Sequence, residues 1–234
     1  PLLPSQGMLM VYRMLLGEPG QFPVERHLPP TAIASVVGFS SAVNAFWFLA
    51  TGERERAHQI YRTMPPPATL PPLLRLTALA WMTEFAMEFD DRKRAADCYE
   101  LLLPHADLLV CGGAGIVCIV GTVREALGLG AATMGRLDDA VRHLRSGVEV
   151  AQRVGMPPGV ATATFHLARV LARRQRPGDR DEASALAASA AAMADRMGLR
   201  PLERRARELS ASLTDSGTGA GAGLAGTRAS TSAA

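Results

Sequence analysis

Apolar residues recur along this chain at three- and four-residue spacing, and nowhere does an apolar–polar alternation persist over five positions. That periodicity predicts helices over Thr31 to Ala50, Leu70 to Phe89, Gly112 to Met134 and Pro158 to Arg174. Behind each of these comes the same short pattern: a turn-permitting residue, an alanine five positions on, and apolar or small residues four and seven beyond the alanine. The four occurrences are Gly52/Ala57/Tyr61/Met64, Asp90/Ala95/Tyr99/Leu102, Gly135/Ala140/Leu144/Gly147 and Gly178/Ala183/Ala187/Ala190. From alanine to alanine the steps are 38, 45 and 43 residues, which makes the unit a helix, a tight turn and a second helix. Glycine or aspartate suits the turn, because both enter left-handed backbone at low cost. Glu53, Asp138 and Asp181 then fall in first turns, where a negative charge complements the helix dipole. The alanine keeps the two helices of a hairpin close.

Pro65-Pro66-Pro67, Pro71-Pro72, Pro104 with Gly112-Gly113, Gly155 with Pro157-Pro158, and Gly198 with Pro201 separate the units, where proline stops one helix and starts another. The uncharged stretch from Leu108 to Val123 is too short for a bilayer and is expected to be a buried helix. Residues 1–30 look like a truncated unit, 31–213 like the repeat domain, and 214–234 like a Gly/Ala/Ser/Thr tail with too little apolar surface to order itself. The fold class expected is all-α, a right-handed solenoid of antiparallel helix hairpins.

Leu127-Gly128, Ala131, Ala140 and Leu144 resemble the tetratricopeptide repeat, although the step of 38–45 residues exceeds the usual one. Three further runs carry a wider resemblance: Cys98 to Pro104, Gly112 to Gly115, and Leu127 to Ala140. Leu167-Ala168-Arg169 and Arg176 to Arg180 continue it. Together they resemble the C-terminal repeat region of large actinobacterial-type multidomain ATPase regulators, from Met8 to Ser212. The resemblance implies a nucleotide-binding module elsewhere in the parent. It also implies an N-terminal class III cyclase or SARP-type segment, or a C-terminal LuxR-type helix-turn-helix, in different members. A low-complexity stretch follows Leu213 where LuxR-type members carry their helix-turn-helix, which favours a cyclase-type parent or a truncated regulator. The chain begins with Pro1 rather than methionine and is expected to be a fragment.

Composition adds exclusions. With 48% hydrophobic and 20% charged residues, the 234-residue chain is neither disordered nor fibrous. Its net charge of +3 arises almost entirely from arginine, Lys93 being the one lysine. The arginine groups around Arg173, Arg174 and Arg176 and around Arg204, Arg205 and Arg207 read as solvated helix faces, so no nucleic-acid footprint is expected. Cys98, Cys111 and Cys118 lack paired spacing and read as buried thiols of a reducing compartment, and no secretory signal is visible, so the expected location is cytoplasmic. GxxxxGK[ST] and GxSxG are both missing. Gly128-Leu129-Gly130 lies within a helical stretch and reads as close packing, and the five histidines are scattered singly. No catalytic, cofactor or metal residue is therefore expected.

One constellation remains. Thr77, Trp81, Glu84 and Glu88 follow i, i+4, i+7, i+11 spacing, and so do Thr162, His166, Arg169 and Arg173. If first helices line the concave surface of a solenoid, these residues form a groove acidic at one end and basic at the other. The function expected is a non-catalytic sensor or protein-interaction arm of an ATP-binding signalling protein, a transcriptional regulator first. The repeat region of a cyclase and a free-standing peptide-binding adaptor are the alternatives. The partner is expected to be a protein or peptide, the parent's own ATPase module included, with no direct nucleic-acid or membrane contact.

Overall fold

The computed structural model describes Ala45, Phe48, Leu49 and residues 52–70, 72, 75–112 and 118–218. The expected partial unit over 1–30, most of the helix over Thr31 to Ala50, and everything beyond 218 lie outside the described residues. The described chain is all-α apart from one hairpin. Its elements are α1 (Arg54–Thr63), α2 (Arg75–Glu88), α3 (Arg92–Leu102), β1 (Leu109–Gly112), β2 (Cys118–Thr122), α4 (Val123–Thr133), α5 (Leu137–Arg153), α6 (Pro157–Arg174), α7 (Asp179–Arg196) and α8 (Arg200–Thr218).

The turns have the geometry that their residue types predict. Gly52, Asp90, Gly135 and Gly178 have φ of 85°, 53°, 82° and 84°. After the first three, the next backbone N–H reaches back five residues: Glu53 to Phe48, Asp91 to Ala86 and Arg136 to Ala131, at 2.7–2.8 Å. This closes the preceding helix with a Schellman bond and sends the chain back along it. Asp91 then caps α3 by accepting from the Arg94 N–H at 2.9 Å. Ala57, Ala95, Ala140 and Ala183 all have no exposed surface. At Gly128 a Cβ would stand 2.5 Å from Leu144 Cγ and 3.3 Å from the Ala140 carbonyl oxygen. Hydrogen is thus the largest side chain that position 128 of α4 accommodates against α5.

Packing follows chain order. From α2 onward each helix lies against its sequence neighbours, and the even-numbered helices α2, α4, α6 and α8 also touch in succession. One core runs through the chain from Ala45 to Ala183, with Leu79, Met82, Phe85, Leu102, Leu127, Leu144 and Leu171 fully buried. Phe165, Ala190, Ala191 and Ala206 form a smaller one between α6, α7 and α8.

Two expectations are corrected. Within the stretch from Leu108 to Val123, Leu109–Gly112 and Cys118–Thr122 pair as antiparallel strands rather than forming a buried helix, with Leu109 opposite Thr122 and Cys111 opposite Ile119. Val110, Ile119 and Val120 favour strands, and glycines cost a helix about 1 kcal/mol each. Helix α4 therefore begins at Val123 rather than Gly112, where Thr122 accepts from the Glu125 N–H at 3.1 Å as an N-cap. At the other end, α8 continues to Thr218, past the expected boundary at 213. Arg180 of α7 donates to the Leu213 carbonyl there, and Thr214 bonds back to Ala211 at 2.8 Å. No helix among the described residues is long and apolar enough to cross a membrane.

Of the arginines around position 174, Arg173 and Arg176 are exposed, whereas Arg174 is half-buried and paired. Arg174 makes a two-pronged contact with the buried Asp179 carboxylate at 2.6 and 2.8 Å, and the Arg176 N–H adds a third bond at 2.9 Å. Arg174 and Arg176 also reach Asp138 at the start of α5, at 3.2 and 2.5 Å. The Arg174 bond, aided by the Arg176 N–H, holds Asp179 down to about 2 against its burial. Its contribution to stability is thus present above the ordinary aspartate range and is lost as pH falls through about 2. Asp179→Asn is expected to cost about 2 kcal/mol at pH 7, with the gap from the parent chain narrowing to about half of that in urea unfolding at pH 3.

Candidate functional site

Charged side chains converge where the even-numbered helices meet. Glu88, in the last turn of α2, is the hub. Arg54 of α1 donates to its Oε1 and to its carbonyl oxygen, both at 2.5 Å. Its Oε2 lies 3.8 Å from Arg169 Nη2 of α6 and 3.6 Å from Arg205 Nη2 of α8. Both guanidiniums also lie over the buried Phe165 ring, Arg169 at 5.6 Å and Arg205 at 5.1 Å from its centroid.

Behind this rim is a buried acid–imidazole pair. His166 is 1% exposed and Glu125 of α4 is 8% exposed, with Nε2 and Oε1 3.8 Å apart. Burial pushes His166 well below the usual imidazole range, and Arg169 and Arg205 push it the same way. Burial first, and then the neighbouring Glu84 carboxylate, raises Glu125 to about 8. Both partners are therefore neutral at pH 7. Glu84, half-buried on α2, is also raised by burial, partly countered by Arg205. His166 Nδ1 is buried without a hydrogen-bond partner among the described residues.

The residues expected in the groove divide into two sets. Glu84, Glu88, His166 and Arg169 do come together, but Arg169 faces Glu88 directly, so acidic and basic groups share one place instead of occupying opposite ends. Thr77 is buried, and its hydroxyl donates to the Cys111 carbonyl of β1 at 2.5 Å, tying α2 to the hairpin. Trp81 is half-buried and packs against the core. Thr162 bonds within its own helix to the Pro158 carbonyl at 2.9 Å, and Arg173 is exposed one turn beyond Arg169.

Glu125 and Arg205 belong to the cluster and were not among the expected residues. Glu125 had a legible signal in Thr122-x-x-Glu125, an N-capping pattern that marks a helix start. Arg205 had none, because its neighbours Glu203, Arg204, Arg207 and Glu208 resemble a solvated surface, whereas the structure half-buries it against Phe165. Cys98 is fully buried, and its burial raises the thiol to about 12, so it stays protonated. Among the described residues no group of three or more His, Cys, Asp or Glu is arranged to hold a metal ion. What the face presents is charge and hydrogen-bond donors over an aromatic floor, an arrangement suited to binding.

No protein-family model, curated protein or solved structure matches the chain.

Proposed function

We propose that this chain is the helical-repeat interaction arm of an ATP-binding multidomain signalling protein, a transcriptional regulator, and that it is not itself a catalyst. In this reading the hairpins stack as a right-handed, tetratricopeptide-like solenoid with the even-numbered helices on the concave side. Left-handed turns followed by buried alanines, and packing between sequence neighbours, support the solenoid. The observation that carries the interaction role is the cluster itself. Glu88, Glu125, Arg169 and Arg205 come from four helices in succession, so any shift between hairpins changes their spacing. A partner that prefers one spacing would bias the parent between its resting and active states by its difference in affinity for the two.

The test is made in the full-length protein. Arg169→Glu combined with Arg173→Glu is expected to reduce retention of the partner, or of the parent's own ATP-binding module, at least tenfold in co-purification. Arg173→Glu alone, at an exposed position, should give a smaller loss without disturbing the Glu88 cluster. Unchanged retention in the double variant would sink the interaction role. A full-length protein with no measurable affinity for ATP would remove the assignment of the parent.

A further inference from the structure

Three guanidiniums converge on one carboxylate, and only one of them is hydrogen-bonded to it. Arg54 takes Oε1 of Glu88, whereas Arg169 and Arg205 stand 3.8 and 3.6 Å from Oε2, outside hydrogen-bond reach. Neither Arg169 nor Arg205 makes any hydrogen bond among the described residues. Glu84, half-buried nearby, forms no ion pair with either within that set. The two side chains are 25% and 39% exposed, so their donors are accessible, and Phe165 supports both from beneath. Next to Phe165 in sequence, His166 keeps a buried Nδ1 without a partner.

We propose that Arg169 and Arg205 form a receptor for one oxyanion group, a carboxylate or a phosphate, with Glu88 as the internal competitor that occupies it loosely when no ligand is present. A guanidinium offers a planar fork of donors, and two forks over one ring can grip an oxyanion that lies in their plane. Glu88 cannot satisfy both, because Arg54 holds its other oxygen and its backbone carbonyl. The incoming group displaces Oε2 and leaves the Arg54 bond in place. The site is a property of the chain's own side chains and requires neither the parent nor its ATP-binding module.

The experiment uses the whole 234-residue chain and two probes, inorganic phosphate and succinate, titrated at constant ionic strength against sodium chloride. The readout is the NMR signals of the Arg169 and Arg205 Nε–H groups. Saturable shifts are expected, and a response to phosphate alone identifies a phosphorylated ligand, whereas a response to succinate identifies a carboxylate. Glu88→Gln removes the competitor and should tighten binding at least threefold. Arg169→Gln with Arg205→Gln, checked for intact helicity by circular dichroism, should abolish it. The proposal is overturned if neither probe gives a saturable shift in both the parent chain and Glu88→Gln, or if the folded double-glutamine variant still binds. It is overturned equally if Glu88→Gln leaves affinity unchanged or weakens it.

Discussion

Ala140→Leu is expected to lower stability by about 3 kcal/mol, read as a fall of roughly 6–12 °C in the thermal midpoint. Ala140 has no exposed surface, and its carbonyl oxygen would lie 3.3 Å from a Cβ placed on Gly128 of the facing helix. Three added carbons have no space to enter. The hairpin must open, and opening it disturbs Leu144, which itself fills the gap beside Gly128. Leucine introduced at an exposed position of α5, as in Arg142→Leu, removes a surface ion pair worth at most about 1 kcal/mol and serves as the control. Circular dichroism melts of the two variants check the difference. Equal midpoints would mean that α4 and α5 are not in close contact at this point.

The second large effect depends on pH. Burial, reinforced by Glu84, raises the Glu125 carboxyl from 4.5 to about 8. Between those values the folded chain holds a proton that the unfolded chain has released, so this residue makes stability fall as pH rises. Its contribution is fully present below about pH 4.5 and lost on approaching pH 8. Glu125→Gln preserves the shape and the neutral charge state. It is expected to leave stability unchanged at pH 5 and raise it by about 2 kcal/mol at pH 8.5, in urea midpoints measured at both pH values. A variant less stable than the parent chain at pH 8.5 would show that the ionised carboxylate is what the fold requires. Such a strained, buried carboxyl at the meeting point of helices is the kind of local cost that functional surfaces carry.

The helices were readable because the determinants of a hairpin are short-range. Gly52, Asp90 and Gly135 close their helices by backbone geometry alone, and Ala57, Ala95, Ala140 and Ala183 are spaced from the turns by fixed helical rise. The β-hairpin was not readable by the same means. An uncharged run of valines and glycines has the same apolarity whether it coils or extends, and to its local strand preference the fold adds the Thr77 bond to Cys111 from a helix 34 residues earlier. The end of α8 depended likewise on Arg180, whose bond to Leu213 spans 33 residues.

Half of the site was visible for the same reason. Glu84 with Glu88, and His166 with Arg169, are one turn apart on their own helices, so a helical net places each pair on one face. That Glu88 would meet Arg169 rather than lie far from it depends on how closely the even-numbered helices approach, which local spacing does not encode. Arg205 depends on that approach entirely, since it reaches Glu88 from the last helix to the second.

The claim on which the functional account rests is that the face formed by α2, α4, α6 and α8 is where a partner binds. Hydrogen–deuterium exchange on the full-length protein, with and without the partner it co-purifies with, tests this most directly. The account predicts slowed exchange in the peptides containing Glu84 to Glu88, Gly121 to Leu127, Phe165 to Arg173 and Leu202 to Leu209, with α3, α5 and α7 unchanged. Protection confined to α3, α5 and α7, or absent from all helices while the partner is bound, would contradict it.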